Sequence, residues 1–179
     1  MSSSYNPQHL DVQAFAQSRG DVSGEADLQS MHRLRADCTV DVTGKVTWSA
    51  QGALRQASDG QGAVWLYVQA RTQVPLACQR CLQKVMHALV VDRSFRFVRD
   101  EATALAQDDS SEEDLLALSN DFDLWALIED ELLMALPLVP MHENCQSEYT
   151  PTLAADAQLT GEAKPSPFAV LASMRISKD

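Results

Sequence analysis

The sequence predicts an α+β domain, an antiparallel β-sheet meander packed against one main helix, with short N-terminal helices and a mobile acidic loop. Three observations carry that prediction. Between residues 33 and 98, three runs alternate apolar and polar side chains with the period of two of half-buried strands. Between 122 and 136 the period becomes that of an amphipathic helix. The chain has 179 residues, enough for one core rather than two, so these elements must share it. The expected organisation is a single domain over 1–175, with an acidic loop at 100–120, a linker at 146–167 and a tail at 176–179.

Taken in order, Pro7 to Phe15 is expected to form a short helix and Leu28 to His32 another helical turn. The first strand is expected over 33–48, with Leu34, Ala36, Cys38, Val40, Val42, Val46 and Trp48 on one face. Arg33, Arg35, Asp37, Thr39, Asp41, Thr43, Lys45 and Thr47 fall on the other face, and Gly44 marks a bulge or bend. Cys38 is then a small core residue. The turn cluster Ser58-Asp59-Gly60-Gln61-Gly62 leads into a second run, in which Val64, Leu66, Val68, Ala70, Val74 and Leu76 share a face. A third run follows with Val85, Leu89, Val91, Phe95 and Phe97 in phase. Short connections make the three an antiparallel meander. Residues 100–120 are acidic and rich in Ala and Ser, and are expected to bury too little apolar area to become ordered. Asp121 is expected to cap a helix carrying Leu124, Trp125, Leu127, Ile128, Leu132, Ala135 and Leu136, which Pro137 ends. Beyond the linker, Phe168, Val170, Leu171 and Met174 are expected to dock a last turn on the core.

Composition narrows the function. With 45% hydrophobic and 22% charged residues, 7 Gly and 7 Pro, the chain is neither low-complexity nor collagen-like. It contains no run of about 18 apolar residues that would span a membrane. Its start, Met1-Ser2-Ser3-Ser4-Tyr5, lacks the basic and apolar regions of a secretory signal, so the expectation is cytoplasmic residence. The net charge of −11 argues at face value against polyanion binding. The average hides a partition, because residues 31–99 are net +6 while residues 100–163 hold sixteen acids and no Lys or Arg. Such asymmetry points to an interaction surface or to self-neutralising packing.

Cys78-x-x-Cys81 sits between two strand patterns, not at the start of a helix as a redox motif would. Two thiolates on a hairpin turn have the form of a zinc knuckle, which needs two further ligands. His142-x-x-Cys145, just past the helix, offers them. Cys78, Cys81, His142 and Cys145 are therefore the candidate metal ligands, with zinc as the candidate cofactor. The competing reading is reduced cytosolic thiols in a packed turn. His87 reads as a satisfied histidine at a sheet edge rather than a ligand.

Arg93, Phe95, Phe97 and Arg99 share one phase of the third strand, with Arg96 on the other. Basic residues interleaved with aromatics on a sheet suit RNA, whose bases stack while its phosphates pair with arginine. Arg71, Arg80, Lys84, Arg93, Arg96 and Arg99 are the candidate RNA-binding residues, and Trp65, Tyr67 and Arg71 extend the surface. The competing reading makes Phe95 and Phe97 core and pairs the arginines with the acidic helix. Glu129, Asp130 and Glu131 have the residue types of an acid/base or magnesium-dependent nuclease site. Without a nucleophile or phosphate loop they read as a salt-bridged or solvated face, and no catalytic residue is assigned.

Three segments carry a resemblance. Cys78-Gln79-Arg80-Cys81-Leu82, the run from Asp123-Leu124-Trp125 through Leu136-Pro137-Leu138-Val139-Pro140-Met141-His142, and Pro167-Phe168-Ala169-Val170-Leu171-Ala172-Ser173 resemble, in order and spacing over roughly residues 10–175, the YceD family. These are the large ribosomal RNA subunit accumulation proteins of bacteria. The resemblance implies a cytoplasmic, non-enzymatic factor in synthesis, processing or stability of 23S ribosomal RNA. The implied partner is 23S rRNA or a pre-50S particle; the acidic stretch adds basic ribosomal proteins as candidate partners, and the lack of a long apolar run argues against a membrane. Some relatives have two further cysteines after the helix, where this chain keeps Cys145 with His142 nearby. The alternative function is an acidic protein-binding module that chaperones a basic ribosomal protein without touching RNA.

Overall fold

A computed structural model describes residues 5–38, 42–56 and 62–145. The chain runs α1 (Val12–Gln17), β1 (Asp21–Asp27), a 3-10 turn at Leu28–Ser30, α2 (His32–Ala36), β2 (Lys45–Gln56), β3 (Gly62–Ala77) and β4 (Lys84–Val98). It continues with α3 (Glu101–Gln107), a 3-10 turn at Asp108–Ser110, β5 (Asp114–Ala117) and α4 (Leu124–Met134). The five strands form one sheet in sequence order. The first four are antiparallel, and β5 lies parallel to β4.

The second and third alternating runs are strands in the expected phase, since Val64, Leu66, Val68, Ala70, Val74, Leu76, Val85, Leu89, Val91, Phe95 and Phe97 are all buried. They form the inner face of the sheet, and α4 covers part of it with Leu124, Ile128 and Leu132, each fully buried. Trp125 of α4 meets Trp48 of β2 edge to face, with centroids 5.1 Å apart. Each fully buried side chain is worth about 1.5–3 kcal/mol. An eleven-residue helix is marginal alone, so docking on the sheet is what stabilises α4. At the other end α1 lies on Gly52, where a Cβ would stand 2.7 Å from a Phe15 ring carbon and 2.9 Å from the Ala16 backbone.

Several expectations are corrected. The alternation over 33–48 spans two elements. Residues 32–36 are helical and burial begins to alternate along a strand only from Lys45, because Leu34 is buried equally well by one helical turn as by a strand. Gly44, at φ +154°, lies ahead of β2 rather than within it and adopts a backbone that side chains disfavour. Cys38 follows α2 and is half-buried, donating to the Leu34 carbonyl at 3.3 Å. Val40 and the turn at 57–61 lie outside the described residues, as do the linker at 146–167 and the segment from Phe168 to Met174. β1 was not anticipated, because the face it turns inward, Val22, Gly24 and Ala26, carries only one sizeable apolar side chain, and the strand is held largely by main-chain pairing to β2. Helix α1 begins five residues later than expected. Asp11 caps it, while Leu10 forms a bridge with Phe122.

The acidic segment departs furthest from expectation. It is structured, as α3, a 3-10 turn and β5, the last extending the sheet beside Phe95–Val98. Composition suggested a loop because it counts charges without their partners. Here Arg93 meets Asp114 at 2.6 Å, Arg96 meets Glu113 at 3.6 Å and Arg99 meets Asp100 at 2.8 Å. Leu116 and Leu118 pack against the core. The cap of α4 also moves. Asp123, not Asp121, accepts the Ala126 N–H, and Asp121 instead contacts His9 at 2.6 Å.

Candidate metal centre and nucleic-acid interface

Between β3 and β4 the chain turns through Cys78–Gln83. Leu82 N–H donates to the Cys78 carbonyl at 2.8 Å and Cys78 N–H to the Gln83 carbonyl at 2.9 Å. Leu82 takes a left-handed φ of 61° to close the turn. Gln79 N–H donates to the Pro140 carbonyl at 2.9 Å, which ties the turn to the segment beyond α4. That tie brings His142 and Cys145 to the two thiols. The candidate ligand atoms of Cys78, Cys81, His142 and Cys145 all lie within 4.8 Å of one another, near enough to hold a metal.

Cys78 and Cys145 sulfurs are 3.6 Å apart, and Cys81 sulfur is 3.5 Å from His142 Nδ1. The other imidazole nitrogen, Nε2, lies 3.1 Å from the Lys84 carbonyl. A carbonyl only accepts, so Nε2 carries the proton and Nδ1 turns its lone pair toward the sulfurs. Burial pushes the Cys78 thiol up. Hydrogen bonds from the backbone N–H groups of Cys81, His142 and Arg80, joined by the Cys81 side chain, outweigh burial and bring it down to about 5. Cys145 is pushed up to about 11 by burial and by its hydrogen bonds with, and the charge of, the Cys81 and Cys78 sulfurs. The turn thus stabilises one thiolate strongly, and a second beside it needs a cation.

The remaining candidates separate into two groups. Arg93, Arg96 and Arg99 are committed to acids. Arg93 bridges Asp114 and Glu131, and Arg96 is 7% exposed, donating to Ser111 Oγ at 3.3 Å beside Glu113. Phe95 and Phe97 are core. Among the described residues only Arg93 reaches the acidic helix, at Glu131; Arg96 and Arg99 pair instead with Glu113 and Asp100 of the acidic segment. Arg71, Arg80 and Lys84 are exposed and, among the described residues, have no ion pair.

Register places Trp65, Tyr67, Gln69, Arg71 and Gln73 on the outer face of β3, opposite its buried residues. Trp65 and Tyr67 stack with planes 13° apart and centroids at 6.4 Å. Arg55 lies over the Tyr67 ring at 4.7 Å. Sequence reasoning missed Arg55. The signal was its place on the outer phase of β2, hidden because the first strand was read as ending at 48. His87 is half-buried, but its Nε2 has no partner among the described residues, so it is not the satisfied histidine expected.

The three acids of α4 hold structure together. Glu129 accepts from the N–H groups of Arg33 and Leu34 at 2.7 and 3.1 Å and from Arg33 Nε at 3.3 Å. Arg33 Nη1 donates to Asp130. Burial raises the Glu131 carboxyl and the Arg93 guanidinium opposes that rise.

Among the described residues, no helix is long and apolar enough to cross a membrane. The family model described as "Large ribosomal RNA subunit accumulation protein YceD" matches residues 66–175. A Haemophilus influenzae protein of the same description is 33% identical over 180 residues, covering 94% of this chain and 95% of the relative. No solved structure matches the chain.

Proposed function

The chain belongs to the YceD family, and from that premise we propose that it is a cytoplasmic, non-enzymatic factor in 23S ribosomal RNA synthesis, processing or stability. It acts by binding rRNA or a pre-50S particle. The observation that carries the binding mode is the outer face of the sheet, where stacked Trp65 and Tyr67 lie beside Arg55 and Arg71. Unpaired bases stack on such rings whatever their sequence, at about 1–3 kcal/mol each, and the arginines meet the phosphates. Arg80 and Lys84 continue the cationic track toward the Cys78–Gln83 turn. Arg93 and Arg96 contribute to this surface indirectly, by holding Asp114 of β5 and the neighbouring Glu113 in place.

Zinc is the metal this reading assigns to Cys78, Cys81, His142 and Cys145. A tetrahedral site with Zn–S near 2.3 Å and Zn–N near 2.05 Å has S···S edges of about 3.8 Å and S···N edges of about 3.6 Å. The separations of 3.6 and 3.5 Å match those edges. The metal's role is structural, pinning the turn that presents Arg80 to the segment past α4. Protein purified without chelator or nickel resin is expected to carry about one zinc per chain. A stoichiometry near zero overturns the assignment.

The alternative, an acidic chaperone for a basic ribosomal protein, loses many of its acids to internal partners. Asp100, Glu113, Asp114, Glu129, Asp130 and Glu131 are already paired. Titration of rRNA fragments at several salt concentrations tests the RNA reading. Affinity should fall with salt, with a log–log slope of about 1.5–2 for two or three phosphate contacts on a single strand. The Trp65→Ala, Tyr67→Ala double variant should bind at least about tenfold more weakly, whereas Arg99→Ala should bind normally. Crosslinking in cells that recovers protein adducts alone would select the chaperone.

A further inference from the structure

The turn between β3 and β4 meets the segment past α4 through two hydrogen bonds and a cluster of sulfurs. Gln79 N–H donates to the Pro140 carbonyl at 2.9 Å, and His142 Nε2 to the Lys84 carbonyl at 3.1 Å. Beside them the Cys78 and Cys145 sulfurs stand 3.6 Å apart, in contact although 67 positions separate the two residues along the chain. A disulfide is about 2.05 Å long, so this pair needs to close by about 1.5 Å, shared between two side chains. Cys81 belongs to the same cluster, but its sulfur meets His142 Nδ1 at 3.5 Å. Burial also separates the pair. Cys78 is fully buried and Cys145 half-buried, so an oxidant arriving from solvent reaches Cys145 first.

We propose that Cys78 and Cys145 are a redox pair, which a peroxide joins into a reversible disulfide that fastens the β3–β4 turn to the segment past α4. The Cys145 thiolate attacks one peroxide oxygen, the O–O bond breaks, and a sulfenic acid and a hydroxide result. The Cys78 thiolate then attacks the Cys145 sulfur, the S–O bond breaks, and a second hydroxide leaves. Two protons from solvent turn both hydroxides into water. The two thiolates have given up two electrons and one peroxide has taken them. A small dithiol reverses the link by thiol–disulfide exchange.

The pairing follows from the positions of the sulfurs and holds with or without a metal. Its consequence for zinc rests on the metal reading above. The disulfide withdraws two of four ligands, and Cys81 with His142 are too few for a structural site. Oxidation therefore releases the ion, while a covalent bond keeps the two segments together.

The test uses the full chain, one portion as purified and one stripped of metal by a chelator, each treated with hydrogen peroxide, alkylated and mapped by peptide mass spectrometry. In both portions the dominant disulfide should join the Cys78 and Cys145 peptides, with Cys38 and Cys81 alkylated, and dithiothreitol should abolish it. Zinc-loaded protein should release about one ion per disulfide formed to a chromogenic chelator. The link restrains the unfolded chain across its 67-residue separation, so the stripped oxidised chain should melt several degrees above the stripped reduced one. Cys81→Ser should still form the link and Cys145→Ser should lose it, with unchanged circular dichroism as the control for both. A dominant Cys78–Cys81 disulfide, or sulfinic acid with no link, overturns the proposal. A purified chain that holds no zinc yet forms the Cys78–Cys145 link overturns the zinc reading and upholds the redox pair.

Discussion

Glu129 and Asp130 are adjacent acids that both contact Arg33, and replacing each with Ala should have very different consequences. Helix α2 has Met31 at its N-cap, which supplies no side-chain hydrogen bond. The Glu129 carboxylate caps α2 from a distance, accepting the Arg33 and Leu34 N–H groups with its side chain only 13% exposed. Hydrogen bonds to a charged acceptor are worth about 1.5–3 kcal/mol each. The Arg33 N–H is near the surface, where water replaces the carboxylate, so Glu129→Ala should cost about 2–3 kcal/mol. The Asp130 pair with Arg33 is half exposed on both sides, and Asp130→Ala should cost under about 0.5 kcal/mol. Urea unfolding reads the difference as a midpoint about 1 M lower for the first variant, with unchanged slope, and barely moved for the second. Glu129→Gln keeps one acceptor oxygen and should fall between them. Equal losses for Glu129→Ala and Asp130→Ala would refute the capping argument. A loss of magnesium-dependent rRNA cleavage in either variant would refute the structural reading of both acids.

Gly52→Ala should destabilise by about 1–3 kcal/mol, because its Cβ meets the Ala16 backbone as well as the Phe15 ring. The melting temperature should drop by about 3 °C per kcal/mol. Arg96→Ala leaves Ser111 and the mostly buried Glu113 without their cation, and should cost about 2–4 kcal/mol. Arg99 is 85% exposed at its side chain, so Arg99→Ala should cost under about 0.5 kcal/mol, and similar melting shifts for the two would count against the buried pair. Asp100 is held down at about 2 by the Thr103 hydroxyl and N–H and then by Arg99. Its folded pKa lies below the ordinary value of 3.8, so its contribution is complete above that value and disappears as pH falls through about 2. The stability gap between wild type and Asp100→Asn should therefore be flat above about pH 5 and close in acid. A gap that instead closes near neutrality would assign the linkage to another group.

Much of the sheet was legible in the sequence because β3 and β4 each bury one face against one core, which leaves a period of two over most of Val64 to Leu76 and Val85 to Phe97. The period of α4 was legible for the same reason, and so was each of the pairs Cys78-x-x-Cys81 and His142-x-x-Cys145, whose spacing is local, while their meeting rests on the tie from Gln79 to Pro140. Helix α2 was not, because five residues with one buried leucine fit either period. Strand β1 was not, because Val22, Gly24 and Ala26 make an alternating face with only one sizeable apolar side chain.

The sequence by itself determined the two long strands, the main helix, the four ligand-type residues and the partition of charge between the basic middle and the acidic stretch. Only the tertiary structure decided which of those charges meet. Coulomb attraction depends on distance and burial rather than on position in the chain. When the acidic stretch folded beside β4, it paired with Arg93, Arg96 and Arg99 and buried Arg96, while Arg71, Arg80 and Lys84 have no ion pair among the described residues.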